Sequence, residues 1–403
     1  MVGRESDWRR DAENSVLLKS VSHWREKPER WFRGSYDRLP ETVRVNPMSE
    51  EKDWVESWLS GIGANRIPWF SGPGSAWEMP FERGSAKEEV KSLMAALHET
   101  GRITRQEAVS MLPVLALDPT PGQIILDLCA SPGSKTTQIC EHLGGSGAVI
   151  ANEVISGRVN TLVSNVQRHA SRTVLVVQHD GRHMPKVPGS GFDGVLVDVP
   201  CTGSGTTRKN PDVWAKWRPS SGRSLHSLQY DLLSRAIQLT KPGGRVVYST
   251  CSLDPIENEA VVARVVACGK VRVVPRGDTL SSVPSKSGME NWPLLNDRGE
   301  LDIESEFEEY LHPPKDKAVS SQLSDCLRVW NDEIGGGGFF LAVLERIIEE
   351  DASRAIDPVL SQKTLDDPDS FPQPVDERRK RELREIWGSV PTNMWSRGKS
   401  LLW

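Results

Sequence analysis

Five short apolar segments alternate with stretches of helical pattern over residues 123–248. The segments are 124–128, 149–152, 174–177, 195–197 and 246–248. Neighbouring parallel strands need a long crossover connection, usually a helix, so the alternation predicts an α/β fold with helices on both faces of a mostly parallel sheet. Two later segments, 271–274 and 339–344, bring the predicted sheet to seven strands. The last strand follows four consecutive glycines and is expected to be antiparallel.

The flanking regions suggest two further parts of the chain. Residues 1–38 are polar and partly helical in pattern. The elements predicted after them are a strand at 42–45 and helices at 51–59, 87–98 and 104–112, the last closed by Pro113. We therefore expect a small α+β accessory domain over 1–115, resembling an RNA-recognition module. A catalytic domain then covers 116–346, and 347–403 forms a charged C-terminal tail with a short helix at 376–387.

Composition excludes several classes of protein. No segment approaches the roughly 18 apolar residues of a membrane span, and the charged N-terminus lacks the apolar core of a secretory signal. The six cysteines form no C-x-x-C pair, so neither a disulfide framework nor a metal site is predicted. They lie at positions 129, 140, 201, 251, 268 and 326. Sparse cysteines fit a reducing compartment, which is the cytoplasm or, in a eukaryote, also the nucleus.

The distribution of charge is more informative than the net charge. The whole chain has a net charge of −5, whereas residues 154–247 hold thirteen basic and five acidic residues. Chance clustering on solvated helix faces is one explanation of such a stretch. The other is a surface that faces phosphates, which predicts RNA contacts between Arg158 and Lys216, including Arg208 and Lys209.

Two cysteines follow the ends of two predicted parallel strands. Cys201 comes three residues after Asp198, and Cys251 follows the strand at 246–248. Ligands bind at the carboxyl ends of strands in open parallel sheets, so two thiols at this edge indicate covalent catalysis. The other four cysteines are expected to be small buried hydrophobic residues. Trp214 and Trp217 could stack on bases, but their spacing of three residues more often marks an apolar helix face.

The turn after the first strand is the candidate cofactor site. Residues 126–137 lack the glycines of a phosphate-binding P-loop, and the chain has no G-x-G-x-x-G. A Pro-Gly turn before a helix still presents backbone N–H groups to an anion such as a carboxylate. Glu153, at the second strand end, is placed to bind ribose hydroxyls, and Asp180, at the third, to accept from an adenine amine. Together these features indicate S-adenosylmethionine.

Three motifs resemble the NSUN (Nol/Nop/Sun-type) family of RNA cytosine-5 methyltransferases. They are LDLCASPGSKTTQ at 126–138, DVPCTGSGT at 198–206 and YSTCSLDPIENE at 248–259. Three further segments resemble the tRNA-modifying branch of that family, namely 101–113, 208–217 and 337–344. The resemblance covers roughly residues 39–346. It implies a Rossmann-like class I S-adenosylmethionine-dependent methyltransferase with a small α+β N-terminal domain.

The resemblance also implies roles for individual residues. Cys251 would be the nucleophile that attacks C6 of cytosine, and Cys201 would assist release of the product. Asp198 and Lys135 would lie at the target base, with Asp198 as the candidate acid whose proton affinity burial raises. The residues that would hold the cofactor are Cys129, Ala130, Ser131, Pro132, Gly133, Ser134, Lys135, Glu153, Asp180 and Asp198.

The function implied is methylation of C5 of cytosine in RNA, with tRNA as the expected substrate. A monomer without an obligate protein partner or a membrane is expected. Alternatives are methylation of rRNA, mRNA or DNA, and a non-catalytic RNA-binding assembly factor. DNA cytosine-5 methyltransferases use one thiol, so Cys251 beside Cys201 argues against DNA. An inactive factor would have lost a cysteine, Asp198 or the turn at 131–135, and all of these are present.

Overall fold

A computed structural model describes residues 8–186, 188–275, 277–348, 373–392, 394–397 and 400–402. The chain divides into two units, Met1–Glu349 and Glu350–Trp403. The boundary predicted between residues 115 and 116 lies within the first of these units. Part of the predicted tail, residues 349–372, lies outside the described residues.

Three short helices open the first unit. They are α1 (Trp8–Glu13), α2 (Val16–Trp24) and α3 (Pro28–Gly34). Ser15 caps α2, because its hydroxyl accepts a hydrogen bond of 3.0 Å from the amide of Leu18, which has no partner within the helix. Pro28 fits the first turn of α3 for a related reason, since no backbone donor is needed there. The buried faces of α2 and α3 carry Trp24 and Trp31.

A small α+β region follows, as predicted. Its elements are β1 (Pro40–Val45), α4 (Lys52–Gly61), β2 (Asn65–Arg66), β3 (Ser75–Glu82), α5 (Glu88–Glu99) and β4 (Ile103–Arg105). The strands form an antiparallel sheet in the order β2-β3-β1-β4. Val43 and Val45 of β1 pack with Val55 and Leu59 of α4, so the sheet and its helices share an apolar core.

The helix predicted at 104–112 is wrong. Thr104 lies in β4, where it pairs with Arg44 of β1, and a 3-10 turn covers Ala108–Met111. The helix in this region is α6 (Leu112–Leu117), and Pro113 lies in its first turn. Proline lacks a backbone N–H and has a fixed φ suited to a helix start. Pro113 therefore lies at the start of a helix, whereas the sequence analysis placed it at the end of one.

The central sheet is built from strands and helices that alternate along the chain. Its strands are β5 (Ile124–Asp127), β6 (Ala148–Asn152), β7 (Val174–Val177), β8 (Phe192–Asp198), β9 (Thr240–Thr250), β10 (Val271–Val273), β11 (Lys286–Ser287), β12 (Leu327–Val329) and β13 (Phe339–Arg346). The helices between them are α7 (Ser134–Leu143), α8 (Ser156–His169), α9 (Asp212–Lys216), α10 (Pro219–Leu239), α11 (Glu259–Val266), α12 (Asp278–Ser281) and α13 (Lys317–Leu323).

The order of the strands confirms the predicted fold class. The sheet runs β11-β12-β13-β9-β8-β5-β6-β7, with β10 also paired to β13. Strands β5 to β9 pair in parallel and β13 is antiparallel to β9, as expected. Within the described residues the sheet has nine strands, two more than the sequence predicted, because the short strands β11 and β12 extend its antiparallel end. The order reverses between β5 and β8, which is where α/β sheets bind ligands.

Both faces of this sheet are covered. On one face α10 and α11 bury Leu233 and Val261, and on the other α6 and α7 bury Leu115 and Ile139. This arrangement explains why the parallel strands read as continuous apolar runs in the sequence. Among the described residues, no helix combines the length and the apolar character needed to cross a membrane.

The second unit contains one helix and three short strands among its described residues. They are β14 (Gln373–Pro374), α14 (Glu377–Trp387), β15 (Trp395–Arg397) and β16 (Ser400–Leu402). The strands pair antiparallel in chain order. Asp376 caps α14 by accepting from the amide of Arg379 at 2.8 Å, so the helix starts one residue after the predicted position. The helix buries none of its residues, in agreement with its charged sequence.

A buried ion pair joins the α+β region to the central sheet. Arg44 of β1 donates to both carboxylate oxygens of Glu141 on α7, at 2.5 and 3.0 Å, and His169 contacts the same carboxylate at 2.9 Å. The side chains of Arg44 and Glu141 are 0% and 1% exposed. Arg44 also reaches the hydroxyl of Thr137 near the start of α7 at 3.1 Å. The pair therefore fixes α7, and with it the turn before α7, against β1.

We expect Arg44→Ala to destabilise the protein by about 3–5 kcal/mol, because it leaves the carboxylate of Glu141 buried without its cation. Chemical denaturation followed by circular dichroism measures the free energy of unfolding. Lys91→Ala is the control, because Lys91 forms an exposed ion pair with Glu88 and its loss should cost at most about 1 kcal/mol. Equal effects of the two substitutions would contradict the structural role of Arg44.

Candidate active site

The turn between β5 and α7 has the shape that the sequence predicted. Gly133 has a φ of +111°, and a Cβ atom at this position would lie 3.0 Å from Leu162, so glycine is required on both grounds. The amide of Ala130 donates to the carbonyl of Asn152 at the end of β6, at 2.8 Å. The Asn152 side chain donates in turn to the carbonyls of Leu128 and His179, at 3.0 and 2.9 Å. These bonds hold the three loops that follow β5, β6 and β7 together.

Glu153 lies directly after β6 and is 3% exposed. One carboxylate oxygen accepts from the amide of Ile155 at 2.9 Å, and the other lies 3.4 Å from the guanidinium of Arg158. Arg158 also donates to the carbonyl of Ser131 at 2.8 Å. Glu153 is therefore fixed beside the turn, at the strand end where the sequence placed a ribose ligand.

Asp180 lies after β7 and is engaged by a neighbour. The guanidinium of Arg182 donates to both carboxylate oxygens, with a shortest distance of 2.7 Å, and the Arg182 amide donates at 3.0 Å. These hydrogen bonds lower the pKa of Asp180 to about 2. The carboxylate is a third exposed, so a ligand amine can reach it only by sharing or displacing Arg182.

A cavity of about 340 Å³ opens at the carboxyl ends of β5, β8 and β9. The predicted site residues that line it are Cys129, Ala130, Ser131, Pro132, Ser134, Lys135, Asp198 and Cys251. Four predicted residues do not line it, namely Gly133, Glu153, Asp180 and Cys201. The opposite wall comes from the α+β region, including Thr42, Arg83 and Gln106. Sequence reasoning missed this wall, because no motif connects those residues to the sheet.

Lys135 and Asp198 form an ion pair inside this cavity. The ammonium lies 2.7 Å from one carboxylate oxygen of Asp198, and the hydroxyl of Ser249 donates to the other oxygen at 2.7 Å. Burial opposes the charge of Lys135, but the Asp198 carboxylate raises the pKa of Lys135 above its usual value. Each oxygen of Asp198 therefore has one donor. The sequence suggested a buried acid at this position, whereas the structure places a partly exposed carboxylate in an ion pair.

The two predicted thiols meet at the edge of the sheet. The Sγ atoms of Cys201 and Cys251 lie 3.2 Å apart, and neither residue is in a disulfide. Cys251 lines the cavity, whereas Cys201 lies beside it. The hydrogen bond to Cys251, followed by burial and by the charge of Cys251, raises the pKa of the Cys201 thiol well above its usual value. The Cys201 thiol is therefore favoured in its protonated form beside Cys251.

One buried carboxylate, that of Glu257, connects the loops that carry the two thiols. It accepts from the amide and the hydroxyl of Thr202, directly after Cys201, and from the hydroxyl of Ser252, directly after Cys251. Gln229 adds a fourth donor at 3.0 Å. The side chain of Glu257 is fully buried, and this many donors are needed to offset its desolvation. Sequence reasoning missed Glu257 as a site residue, although its motif was noted.

The same two loops also touch through their backbones. The amide of Gly205 donates to the carbonyl of Cys251 at 2.9 Å, and the amide of Gly338 donates to the carbonyl of Gly205 at 2.8 Å. A Cβ atom on Gly205 would lie 2.3 Å from the Gly338 carbonyl. Only glycine permits this approach, so the glycines after Cys201 and before β13 serve to close the loops together.

Asp127, at the end of β5, is a second residue that the prediction missed. It is 1% exposed, and one oxygen accepts from the hydroxyl of Thr136 at 2.7 Å. Its other oxygen has no partner. Burial raises the pKa of Asp127 to about 7. A buried acceptor beside the cavity is what a hydrogen-bond donor of a ligand would satisfy, and the turn offers backbone donors to an anionic group.

The remaining predictions on cysteine and tryptophan are partly confirmed. Cys140 and Cys326 are buried, but Cys268 is exposed, because it follows the end of α11 where the chain leaves the core. Trp214 and Trp217 are 1% and 3% exposed and pack among the tryptophans of α2 and α3. They form an apolar helix face and are not base-stacking residues. Across the described residues, no group of three or more His, Cys, Asp or Glu side chains could hold a metal ion.

The fold and this site define a class I S-adenosylmethionine-dependent methyltransferase. A methyltransferase homolog protein from Pyrococcus horikoshii matches with a TM-score of 0.61 and 26% identity, covering 82% of this chain and 93% of that chain. NSun6 from the same organism, solved with SFG, matches with a TM-score of 0.60 and 19% identity, covering 84% of this chain and 98% of its own. The second likeness concerns the fold alone.

A family model described as 16S rRNA methyltransferase RsmB/F matches residues 114–345, more than half of the chain. The chain belongs to this family, and the resemblance noted in its motifs is confirmed. A Saccharomyces cerevisiae multisite-specific tRNA:(cytosine-C(5))-methyltransferase is 36% identical over 74% of this chain and 47% of its own length. A Drosophila melanogaster tRNA (cytosine(34)-C(5))-methyltransferase is 36% identical over 80% of this chain and 48% of its own length.

A bacterial relative is named for a different RNA. The ribosomal RNA small subunit methyltransferase F of Escherichia coli is 34% identical over 76% of this chain and 57% of its own length. The chain thus spans about half the length of the curated relatives it matches.

We expect Glu257→Gln to make the positions of the Cys201 and Cys251 side chains less fixed relative to each other. The amide replaces one acceptor oxygen by a donor, so one buried hydrogen-bond donor is left without a partner. The readout is disulfide formation between Cys201 and Cys251 driven by diamide, followed by mass spectrometry of the linked peptides. We expect a rate at least several-fold below that of the unaltered protein.

Glu300→Gln on the exposed loop is the matched control and should leave the rate unchanged. A Glu257→Gln protein that crosslinks at the control rate would show that Glu257 does not hold the thiols together.

Proposed function

We propose that the protein methylates C5 of cytosine in RNA, with S-adenosylmethionine as methyl donor, through a covalent bond between a cysteine and C6 of the base. One observation carries the proposal, namely two free thiols 3.2 Å apart at the edge of the cavity that holds Lys135 and Asp198. tRNA is the favoured substrate, because the yeast and fly relatives are tRNA methyltransferases. Ribosomal RNA is the second candidate, favoured by the family model and the bacterial relative.

The residues around the turn fit the cofactor. The backbone of residues 129–135 offers donors to its carboxylate, and Glu153 and Asp180 offer acceptors to its ribose and adenine. Acceptors at these strand ends, with the unpartnered oxygen of Asp127 and the carboxylate of Asp198, suit a ligand that carries amines and a positive charge. When bound, the cofactor supplies an electrophilic methyl group.

Cys251 is the group that attacks the base. C5 of cytosine is a weak nucleophile, and addition of a thiolate to C6 turns the ring into an enamine that is nucleophilic at C5. The thiolate is the reactive form of cysteine. Its charge interacts favourably with the ammonium of Lys135, and the hydrogen bond from Cys201 stabilises it further.

Asp198 and Lys135 act at the polar edge of the base. Charge that develops at N3 or N4 needs a proton or a hydrogen-bond donor. In this ion pair Asp198 acts as an acceptor, so the hydrogen bond or proton that the base needs can come from the ammonium of Lys135. The ammonium of Lys135 and the hydroxyl of Ser249 are the donors already present at this carboxylate.

Cys201 takes its part after methyl transfer. The hydrogen bond to Cys251 and the charge of Cys251 both raise the pKa of Cys201, and both end once the sulfur of Cys251 is bonded to C6. Cys201 then loses its proton to the solvent more easily, and its thiolate can remove the C5 proton as a base. The C6–S bond breaks, the ring regains its double bond and Cys251 leaves as a thiolate. The order of the two steps therefore follows from the contact between the two sulfurs.

We further propose that residues 1–115 are an RNA-binding accessory domain that precedes a catalytic domain over 116–346, and that the protein acts as a monomer. Both thiols must stay reduced in this mechanism, which favours the cytoplasm or, in a eukaryote, the nucleus. Bisulfite sequencing of total RNA from cells with and without the protein tests the function. A cytosine that resists bisulfite only when the protein is present is a target. Targets in tRNA support the first substrate, and targets in small-subunit rRNA support the second. An RNA pattern that does not change without the protein contradicts both.

We expect Glu153→Ala to weaken S-adenosylmethionine binding by roughly 10–100-fold, because a hydrogen bond to a charged group contributes about 1.5–3 kcal/mol. Isothermal titration calorimetry measures the affinity, with thermal unfolding to confirm that the fold persists. Glu300→Ala provides the control on an exposed loop. An unchanged affinity would overturn the assignment of Glu153 to the ribose.

We expect different outcomes for the two cysteines. Cys251→Ala removes the attacking thiol and should give neither methylation nor a covalent complex. Cys201→Ala allows attack and methyl transfer but stalls release, so a protein–RNA adduct should accumulate that survives denaturing electrophoresis and depends on cofactor and on the target cytosine. Cys268→Ala is the control, because this thiol is exposed and remote in sequence from the site.

Reversed outcomes for the two variants would require the roles of the thiols to be exchanged. Full turnover by both variants would rule out the two-thiol mechanism.

A further inference from the structure

A groove with a positive lining begins at the mouth of the catalytic cavity. We name it the cationic groove, and its charged lining residues are Arg38, Arg83, Arg208 and Lys209. Its volume is about 510 Å³, and none of its lining residues is acidic. The cations come from three separate parts of the chain, namely the segment before β1, the end of β3 and the loop after β8. Only the tertiary fold brings them together.

The cationic groove is continuous with the cavity. Leu39, Arg83 and Lys209 line both. A base that occupies the cavity beside Cys251 must leave its sugar and phosphate outside, because enzymes that act on a base take it out of its stack while the backbone remains. The neighbouring phosphates of that strand then lie where the groove meets the cavity.

Three cations of the groove are available to a ligand. Arg38, Arg83 and Lys209 are exposed, and none of them takes part in an ion pair of the described residues. Other arginines near the cavity differ in this respect. Arg105, for example, is held by Glu41 in a bidentate pair at 2.8 Å, although it too lines the cavity.

Arg208 has a different task. Its guanidinium donates to the carbonyls of Asp37, Arg38 and Gly336, at 2.9, 2.9 and 3.0 Å. Burial lowers the pKa of Arg208, which a free surface arginine would not show. Arg208 therefore braces the segment before β1 and is only partly exposed. Arg208 and Lys209, which the sequence grouped as RNA contacts, are thus separated by the structure.

We infer that the cationic groove binds the phosphodiester backbone of a single RNA strand next to the target nucleotide, through Arg38, Arg83 and Lys209. The inference rests on the proposed function, because it places the substrate of the same site. Phosphate contacts fix the register of a strand without reading its sequence. The groove therefore positions the strand. The nucleotide next to the bound phosphates can then enter the cavity.

The test measures RNA binding separately from methyl transfer. A fluorescein-labelled single-stranded oligoribonucleotide of twelve nucleotides with one central cytosine is titrated with the full chain between roughly 50 and 300 mM salt. Each phosphate contact in a single strand contributes about 0.7 to the slope of log affinity against log salt. We expect the triple variant Arg38→Ala, Arg83→Ala, Lys209→Ala to lower this slope by about 2 and to weaken binding equally for oligonucleotides of different sequence.

Controls separate the groove from general charge and from folding. Lys91→Ala on α5 removes an exposed cation outside the groove and should leave the slope unchanged. Circular dichroism and thermal unfolding should give the same result for the triple variant and the unaltered protein, which shows that the variant is folded. Lys209→Gln alone, which should lower the slope by about 0.7, keeps the test decisive if the triple variant does not fold.

A slope that is unchanged in Lys209→Gln and in the triple variant would overturn the inference. So would millimolar inorganic phosphate displacing the oligonucleotide, since the groove would then bind any anion, or equal affinity for a duplex DNA of the same sequence. The two hypotheses fail separately. RNA methylation with an unchanged salt slope in the variants refutes the groove alone, and groove-dependent RNA binding without methylation refutes the proposed function alone.

Discussion

The pairing of β8 with β9 is the constraint on which the site depends. The strands are parallel, and Asp198 lies opposite Ser249, so both strands end at the same edge of the sheet. The hydroxyl of Ser249 donates to Asp198 across this pair at 2.7 Å. Three residues beyond Asp198 the chain reaches Cys201, and two beyond Ser249 it reaches Cys251. A slip of one residue would turn one strand's side chains to the opposite face of the sheet and separate the thiols.

The buried carboxylate of Glu257 completes what the strand pairing begins. It bonds to the residue that follows each thiol, so neither loop can move without losing a buried hydrogen bond. The surroundings of the two sulfurs also differ in charge. Cys251 shares the cavity with the ammonium of Lys135, whereas the Glu257 carboxylate acts on Cys201 and favours its protonated form. Two identical functional groups thereby lie in different electrostatic surroundings.

The α+β region closes the site from the other side. Arg44 fixes α7 against β1 through Glu141, and the same region supplies Arg83 and Gln106 to the wall of the cavity. Residues within 35–105 therefore contribute to the cavity as well as to the cationic groove. This is consistent with the first unit, which does not divide at residue 115. The cavity and the cationic groove thus form one continuous surface.

The sequence by itself determined the parallel sheet, the turn after β5 and the two thiols, because apolar periodicity and strand-end positions follow from local patterns. Local patterns did not show that Pro113 lies at the start of α6. They predicted a helix over 104–112 that ends at this proline, but Thr104 is part of β4. They could not find Glu257, Arg83 or the separation of Arg208 from Lys209. Only the tertiary structure decided these, since a carboxylate's hydrogen-bond partners and a cation's exposure depend on residues that are distant in the chain and adjacent in space.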